Sequence, residues 1–117
     1  MTWLKGIMEA GKPYKDDPYP IFTATLKALG LQPEREYRFC DRRWAFDYAL
    51  VKHKLAIEVE GGIWIGGGHA SPANVERDID KYNEAMFLGW RVLRVRPRDM
   101  KPKGQAVELV LRAVGSG

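Results

Sequence analysis

The chain has a single cysteine, Cys40, in 117 residues. No internal disulfide can form, so nothing here calls for an oxidising compartment. One cysteine and two histidines also fail to provide the ligand spacing of a zinc site. No apolar run approaches the roughly 20 residues that span a bilayer. The opening Met1-Thr-Trp-Leu-Lys-Gly6 lacks the continuous apolar segment of a secretory signal. No membrane contact and a cytoplasmic location are therefore expected. Internal repeats and low-complexity blocks are missing too, which excludes solenoids and biased linkers. What is there is 45% hydrophobic and 29% charged, ordinary for a folded protein with one core. The expectation is one domain over 1–117, with 1–20 as an N-terminal arm and 115–117 as a frayed tail.

The most informative stretch is 44–60, where two apolar runs flank Lys52-His53 and each alternates with the period of two of a pleated strand. If Lys52 and His53 form the turn, Val51 faces Lys54, Ala49 faces Ala56, and Asp47 lies opposite Glu58. Phe46, Tyr48 and Leu50 then share one face with Leu55, Ile57 and Val59. Ala45, Asp47 and Ala49 share the other with Ala56, Glu58 and Glu60. Two like charges directly opposite destabilise an antiparallel pair by about 0.2–1 kcal/mol. A positive partner between them resolves this, and a hard cation such as Mg²⁺ binds through one or two carboxylates while keeping its waters, for which the alanines leave room. The bland alternative is a solvated face on which the acids serve solubility.

Around this hairpin the remaining elements can be placed. The segment 1–11 has Trp3, Leu4, Ile7 and Met8 on one side of a short helix, and 12–20 is a proline-rich extended linker. A helix over 21–29 ends before Gly30. A first strand covers 36–40, and a turn at Asp41-Arg42-Arg43 leads into the hairpin. The segment 61–68 is a glycine-rich loop. Ser71-Pro72 opens a helix whose Val75, Ile79, Tyr82 and Met86 form a stripe towards the sheet, and Gly89 ends it. A strand over 90–95 and a helix over 105–114 complete an α-β-β-β-α-β-α order.

Formal net charge is +4. Its distribution matters more than its size. Arg35, Arg38, Arg42 and Arg43 crowd the approach to the acids, Lys52 and Lys54 sit at the hairpin tip, and 91–103 is basic, including Arg94 and Arg96. An acidic focus ringed by basic segments suits a polyanion held by its phosphates. Arg42, Arg43, Lys52, Lys54, Arg94 and Arg96 are the candidate contacts to such a polyanion.

Asp47, Glu58-Val59-Glu60 eleven positions on, Gly61-Gly62, His69 in a glycine-rich loop, Asp78 and Lys81 on a helix, and Gly89-Trp90-Arg91-Val92-Leu93-Arg94 form a set. It resembles the PD-(D/E)XK nuclease superfamily, and within it the small branch of very-short-patch-repair-like and phage-type endonucleases. The resemblance runs over 36–95, about half the chain. It implies an α/β restriction-endonuclease-like core with a mixed four-stranded sheet flanked by helices. It also implies a Mg²⁺-dependent DNA endonuclease, with Mn²⁺ able to substitute, working as a homodimer. A phage-encoded member would act in the host cytoplasm. The usual motif ends in lysine, where this chain has Glu60. In some members that lysine lies on the following helix, which would make Lys81 its replacement; otherwise Lys81 is a solvated helix residue.

Asp47 and Glu58 are thus the metal ligands. Glu60 completes the site, orients the attacking water, or is a plain surface acid. His69 offers a neutral imidazole to take a proton from water, though a lone loop histidine is more often incidental. Trp64 packs or stacks on a base. Without a separate recognition domain, the expected substrate is a DNA structure, such as a branch, Holliday junction or mismatch, in repair or recombination. A non-catalytic DNA-binding module and a nuclease subunit targeted by a partner protein are the alternatives.

Overall fold

A computed structural model describes residues 17–61 and 72–117. The expected first helix, the glycine-rich loop with Trp64 and His69, and the Ser71 cap lie outside the described residues.

Helix α1 (Pro20–Ala28) begins on a proline, which loses nothing at a position whose N–H has no helical partner. Gly30 follows its end at φ +85°, a conformation that glycine adopts without penalty. Four strands follow in a mixed sheet of order β1-β2-β3-β4: β1 (Pro33–Arg38), β2 (Ala45–Leu50), β3 (Leu55–Val59) and β4 (Arg91–Val95). The first two pairings are antiparallel and the third is parallel. Helix α2 (Pro72–Phe87) joins β3 to β4, and helix α3 (Ala106–Ser116) closes the chain. Among the described residues no helix is long and apolar enough to cross a membrane.

The β2–β3 register is the expected one, with Ala49 opposite Ala56. The turn differs: Val51–His53 form a 3₁₀ turn and Lys54 takes a left-handed conformation (φ 50°), so four residues connect the strands. Strand β1 starts three residues earlier than expected. Its Pro33 is tolerated as the first residue of an edge strand.

Two apolar clusters cover the sheet. Tyr48, Leu50, Leu55 and Ile57 pack on one face with Phe22 and Leu26 of α1 and Ala106 and Val110 of α3. Ala49 and Ala56 pack on the other with Ala85 of α2, Trp90 and Phe46. Phe46 therefore lies with the opposite cluster from Tyr48, contrary to simple alternation. The cause is at Asp47. The β1–β2 register skips the Glu36–Asp47 position, where Glu36 has φ 49°, and the β2–β3 ladder stops one pair short of Asp47–Glu58. The space expected beside the alanines is filled by Ala85 and Trp90, since small side chains let the helix approach the sheet.

Three further expectations change. Residues 17–20 belong to the fold: Asp17 is buried and accepts hydrogen bonds from the Thr23 hydroxyl, the Tyr48 hydroxyl and, at 2.9 Å, the Tyr19 amide. The tail is helical to Ser116, whose hydroxyl donates to the Arg112 carbonyl at 2.6 Å. On α2, Val75, Ile79 and Met86 are exposed and only Ala85 is buried. The helix turns Lys81, Tyr82 and Ala85 inward, with Lys81 and Tyr82 on Glu58, while the Asp78 side chain stays 41% exposed beside Arg77.

Candidate active site

Antiparallel pairing brings the start of β2 to the end of β3, and the parallel β3–β4 pair brings the end of β4 alongside. Asp47 and Glu58 meet there, and Glu60 lies just past the end of β3. The Asp47 amide donates to Glu58 Oε2 at 3.0 Å, and Asp47 Oδ2 accepts the Val59 amide at 2.8 Å. Each carboxylate thus replaces a main-chain partner at the point where the ladder stops. Glu58 is buried, with 4% of its surface exposed. Its Oε1 accepts from Lys81 Nζ and, at 3.2 Å, from the Tyr82 hydroxyl.

Burial pushes the Glu58 carboxyl above its ordinary value, and the neighbouring Asp47 charge adds to this. The hydrogen bond from Lys81, that from the Asp47 amide and the Lys81 charge oppose the shift without cancelling it. The Tyr82 hydroxyl is pushed up by burial first and then by the charges of Glu58, Glu60 and Asp78, so it remains a donor.

Glu60 makes a different connection. Arg94 Nε donates to Glu60 Oε1 at 2.8 Å, and the Arg94 guanidinium lies 5.2 Å from the centre of the Tyr82 ring. Among the described residues no three His, Cys, Asp or Glu side chains are gathered to hold a metal ion. The donor set for a cation is accordingly the pair Asp47 and Glu58. It fits a hard divalent ion in that two carboxylates sit together and Asp47 Oδ1 makes no hydrogen bond among the described residues, while both Glu58 oxygens already accept hydrogen bonds. Water would fill the remaining positions of such an ion.

The candidate phosphate contacts divide. Arg42 and Arg43, in the β1–β2 connection, and Arg94 and Arg96, on the β4 side, lie at the acid end of the sheet. Arg42 covers the Trp44 ring at 4.2 Å, and Arg96 is partly engaged by Asp99 at 3.1 Å. Lys52 and Lys54 lie at the other end, about 13 Å from Glu58 at the usual rise per strand residue. Lys54 is committed there, donating to the Leu88 carbonyl at 3.1 Å with Trp90 5.2 Å away. His69 lies outside the described residues.

Tyr82 was assigned by its hydrophobicity to the apolar stripe, yet it contacts Glu58. The available signal is the i, i+4 spacing from Asp78, which puts those two on one flank of the helix.

No protein-family model matches the sequence, and no curated protein sequence matches it either. The fold does have a likeness among solved structures: its α/β arrangement of a four-stranded mixed sheet with helices is similar to that of an endonuclease catalytic domain. One solved structure it is similar to is the catalytic domain of the homing endonuclease I-Bth0305I, with a TM-score of 0.58 and 20% identity, covering 80% of this chain and 88% of that one.

Proposed function

We propose that this protein is a Mg²⁺-dependent endonuclease that hydrolyses phosphodiester bonds in DNA, of the PD-(D/E)XK type with its lysine moved to the helix. The observation that carries this reading is the interlocked pair Asp47–Glu58 with Lys81 Nζ on Glu58 Oε1. The likeness to a homing endonuclease domain supports DNA as the substrate class.

A bound Mg²⁺, or Mn²⁺ in its place, would polarise a phosphoryl oxygen and lower the pKa of a bound water. Asp47 and Glu58 are the carboxylates that would hold the ion, each oriented by a main-chain amide of the neighbouring strand. Lys81 opposes the upward push of burial on Glu58 and sets a fixed positive charge where an oxyanion develops. Arg42, Arg43 and Arg96 flank the pair and bind phosphates of the same DNA. Glu60, held by Arg94, lies beyond the pair and is available to orient the attacking water; His69 is the candidate proton acceptor. One acid pair per chain makes a homodimer the simplest way to cut two strands. With basic groups on both sides of one acidic focus, the protein reads DNA shape, favouring branched, Holliday-junction or mismatched DNA.

Incubation of flap, nicked, mismatched and four-way-junction DNA with Mg²⁺, and with chelator as the control, tests this. Cleavage of the structured substrates that chelator abolishes is expected. Binding without cleavage would make the protein a non-catalytic DNA-binding module, and cleavage only with an added protein would make it a targeted subunit.

A further inference from the structure

Lys81 and Tyr82 are consecutive on α2, yet both donate to the same oxygen of Glu58. The other oxygen, Oε2, accepts the Asp47 amide. The Glu58 carboxylate is therefore gripped from the helix side and the strand side at once. Lys81 supplies charge to that grip, on a stem with several rotatable bonds. Tyr82 supplies direction, because a half-buried ring with two side-chain torsions fixes where its hydroxyl points. The ring is itself held, since the Arg94 guanidinium lies 5.2 Å from its centre and Arg94 donates to Glu60. A connected path Glu58–Tyr82–Arg94–Glu60 thus joins the buried acid to the outer one across α2, β3 and β4.

We infer that Tyr82 is a positioning residue: its hydroxyl sets the orientation in which Glu58, beside Asp47, offers oxygen to a divalent cation. This rests on the proposed nuclease reading and deepens it. Groups that orient a metal ligand govern affinity for the metal without touching it, and their loss commonly costs about 10-fold or more in that affinity.

The test is Mn²⁺ binding by calorimetry to the full chain without DNA, for wild type, Tyr82→Phe and Tyr48→Phe, together with melting curves and single-turnover cleavage. Tyr48→Phe is the control: its hydroxyl bonds Asp17 under the other face of the sheet, so its loss lowers the melting temperature without reorienting Glu58. Tyr82→Phe is expected to bind Mn²⁺ about 10-fold more weakly, with a near-normal melting temperature and normal DNA affinity. Its cleavage should recover as Mn²⁺ is raised. Tyr48→Phe should melt earlier and bind Mn²⁺ as wild type does. Wild-type Mn²⁺ affinity in Tyr82→Phe overturns the inference, and so does a loss that Tyr48→Phe shares. A wild-type protein that binds no Mn²⁺ and cuts no DNA overturns the nuclease reading itself, and is told apart because the failure is already present before any substitution.

Discussion

Lys81 Nζ reaches from helix α2 to Glu58 Oε1 on strand β3, and the side chains of both are largely buried, at 12% and 5% exposure. A solvated helix lysine would not be placed so. The contact follows from the helix register, which turns 81, 82 and 85 to the sheet. It also follows from Ala49, Ala56 and Ala85, whose small side chains bring helix and sheet close. A charge pair this dry depends on each partner: removing one leaves the other desolvated and uncompensated.

Lys81→Met should therefore lower single-turnover cleavage by about 100-fold or more at saturating Mg²⁺, the scale of losing a preorganised charge at a developing oxyanion. It should also destabilise the fold by about 1–3 kcal/mol, because Glu58 keeps its burial and loses a charged donor. Adding Glu58→Gln to Lys81→Met should give a stability loss smaller than the sum of the two single losses, the sign of a direct interaction. Additive losses in chemical denaturation would show that the two side chains act independently.

Salt dependence separates the two groups of basic residues. Arg42→Gln and Arg43→Gln, at the acid end, should each make the slope of log K for duplex DNA against log salt shallower by about 0.9. Lys52→Met, at the far end of β3, should leave that slope unchanged. Fluorescence anisotropy titrations at several salt concentrations measure all three. An effect of Lys52→Met equal to that of the arginines would mean that DNA runs along the sheet rather than across its acid end.

Asp99 gives a prediction for acid stability. Its carboxylate accepts from the Arg96 amide at 2.8 Å, from the Arg96 guanidinium at 3.1 Å and from Gln105 at 3.1 Å, ahead of α3. The Arg96 amide, followed by its guanidinium, holds the Asp99 carboxyl below the ordinary aspartate value. A folded-state value below the unfolded one means that Asp99 stabilises the fold above about pH 4 and that this contribution fades as pH falls through the folded value. Asp99→Asn should be less stable than wild type at pH 7, and the gap should close as the pH drops towards 2. Melting curves across pH 2–7 check this; a gap that is constant with pH would place the effect in packing instead.

The hairpin was legible because alternation over 45–59 fixes register whenever strand faces differ, and Ala49–Ala56 pair as that pattern demands. The break at Asp47 was not legible. It depends on a side chain, Glu58, taking over a main-chain hydrogen bond, and on Glu36 adopting φ 49°, neither of which leaves a periodic trace. That break placed Phe46 against Trp90 and not beside Tyr48. Hydrophobicity does not mark the inward face of α2. Here the buried acid recruits Lys81 and Tyr82, and Val75, Ile79 and Met86 are left exposed. The closeness of Asp47, Glu58 and Lys81 was legible from spacing and resemblance. The tie between Glu60 and Arg94 needed the β3–β4 pairing, in which Glu58 faces Arg94 across a parallel ladder.

The central claim is that Asp47 and Glu58 together hold the cation that makes this protein cut DNA. The most direct measurement is cleavage of a four-way junction by wild type, Asp47→Asn and Glu58→Gln over a Mg²⁺ titration, with junction affinity measured alongside in Ca²⁺. The account predicts Mg²⁺-dependent cleavage by wild type and none by either variant at any Mg²⁺ concentration. Both variants should bind the junction as well as wild type or better, because a lost negative charge reduces repulsion of the phosphates. Wild-type cleavage rates in a folded Asp47→Asn or Glu58→Gln protein would contradict it.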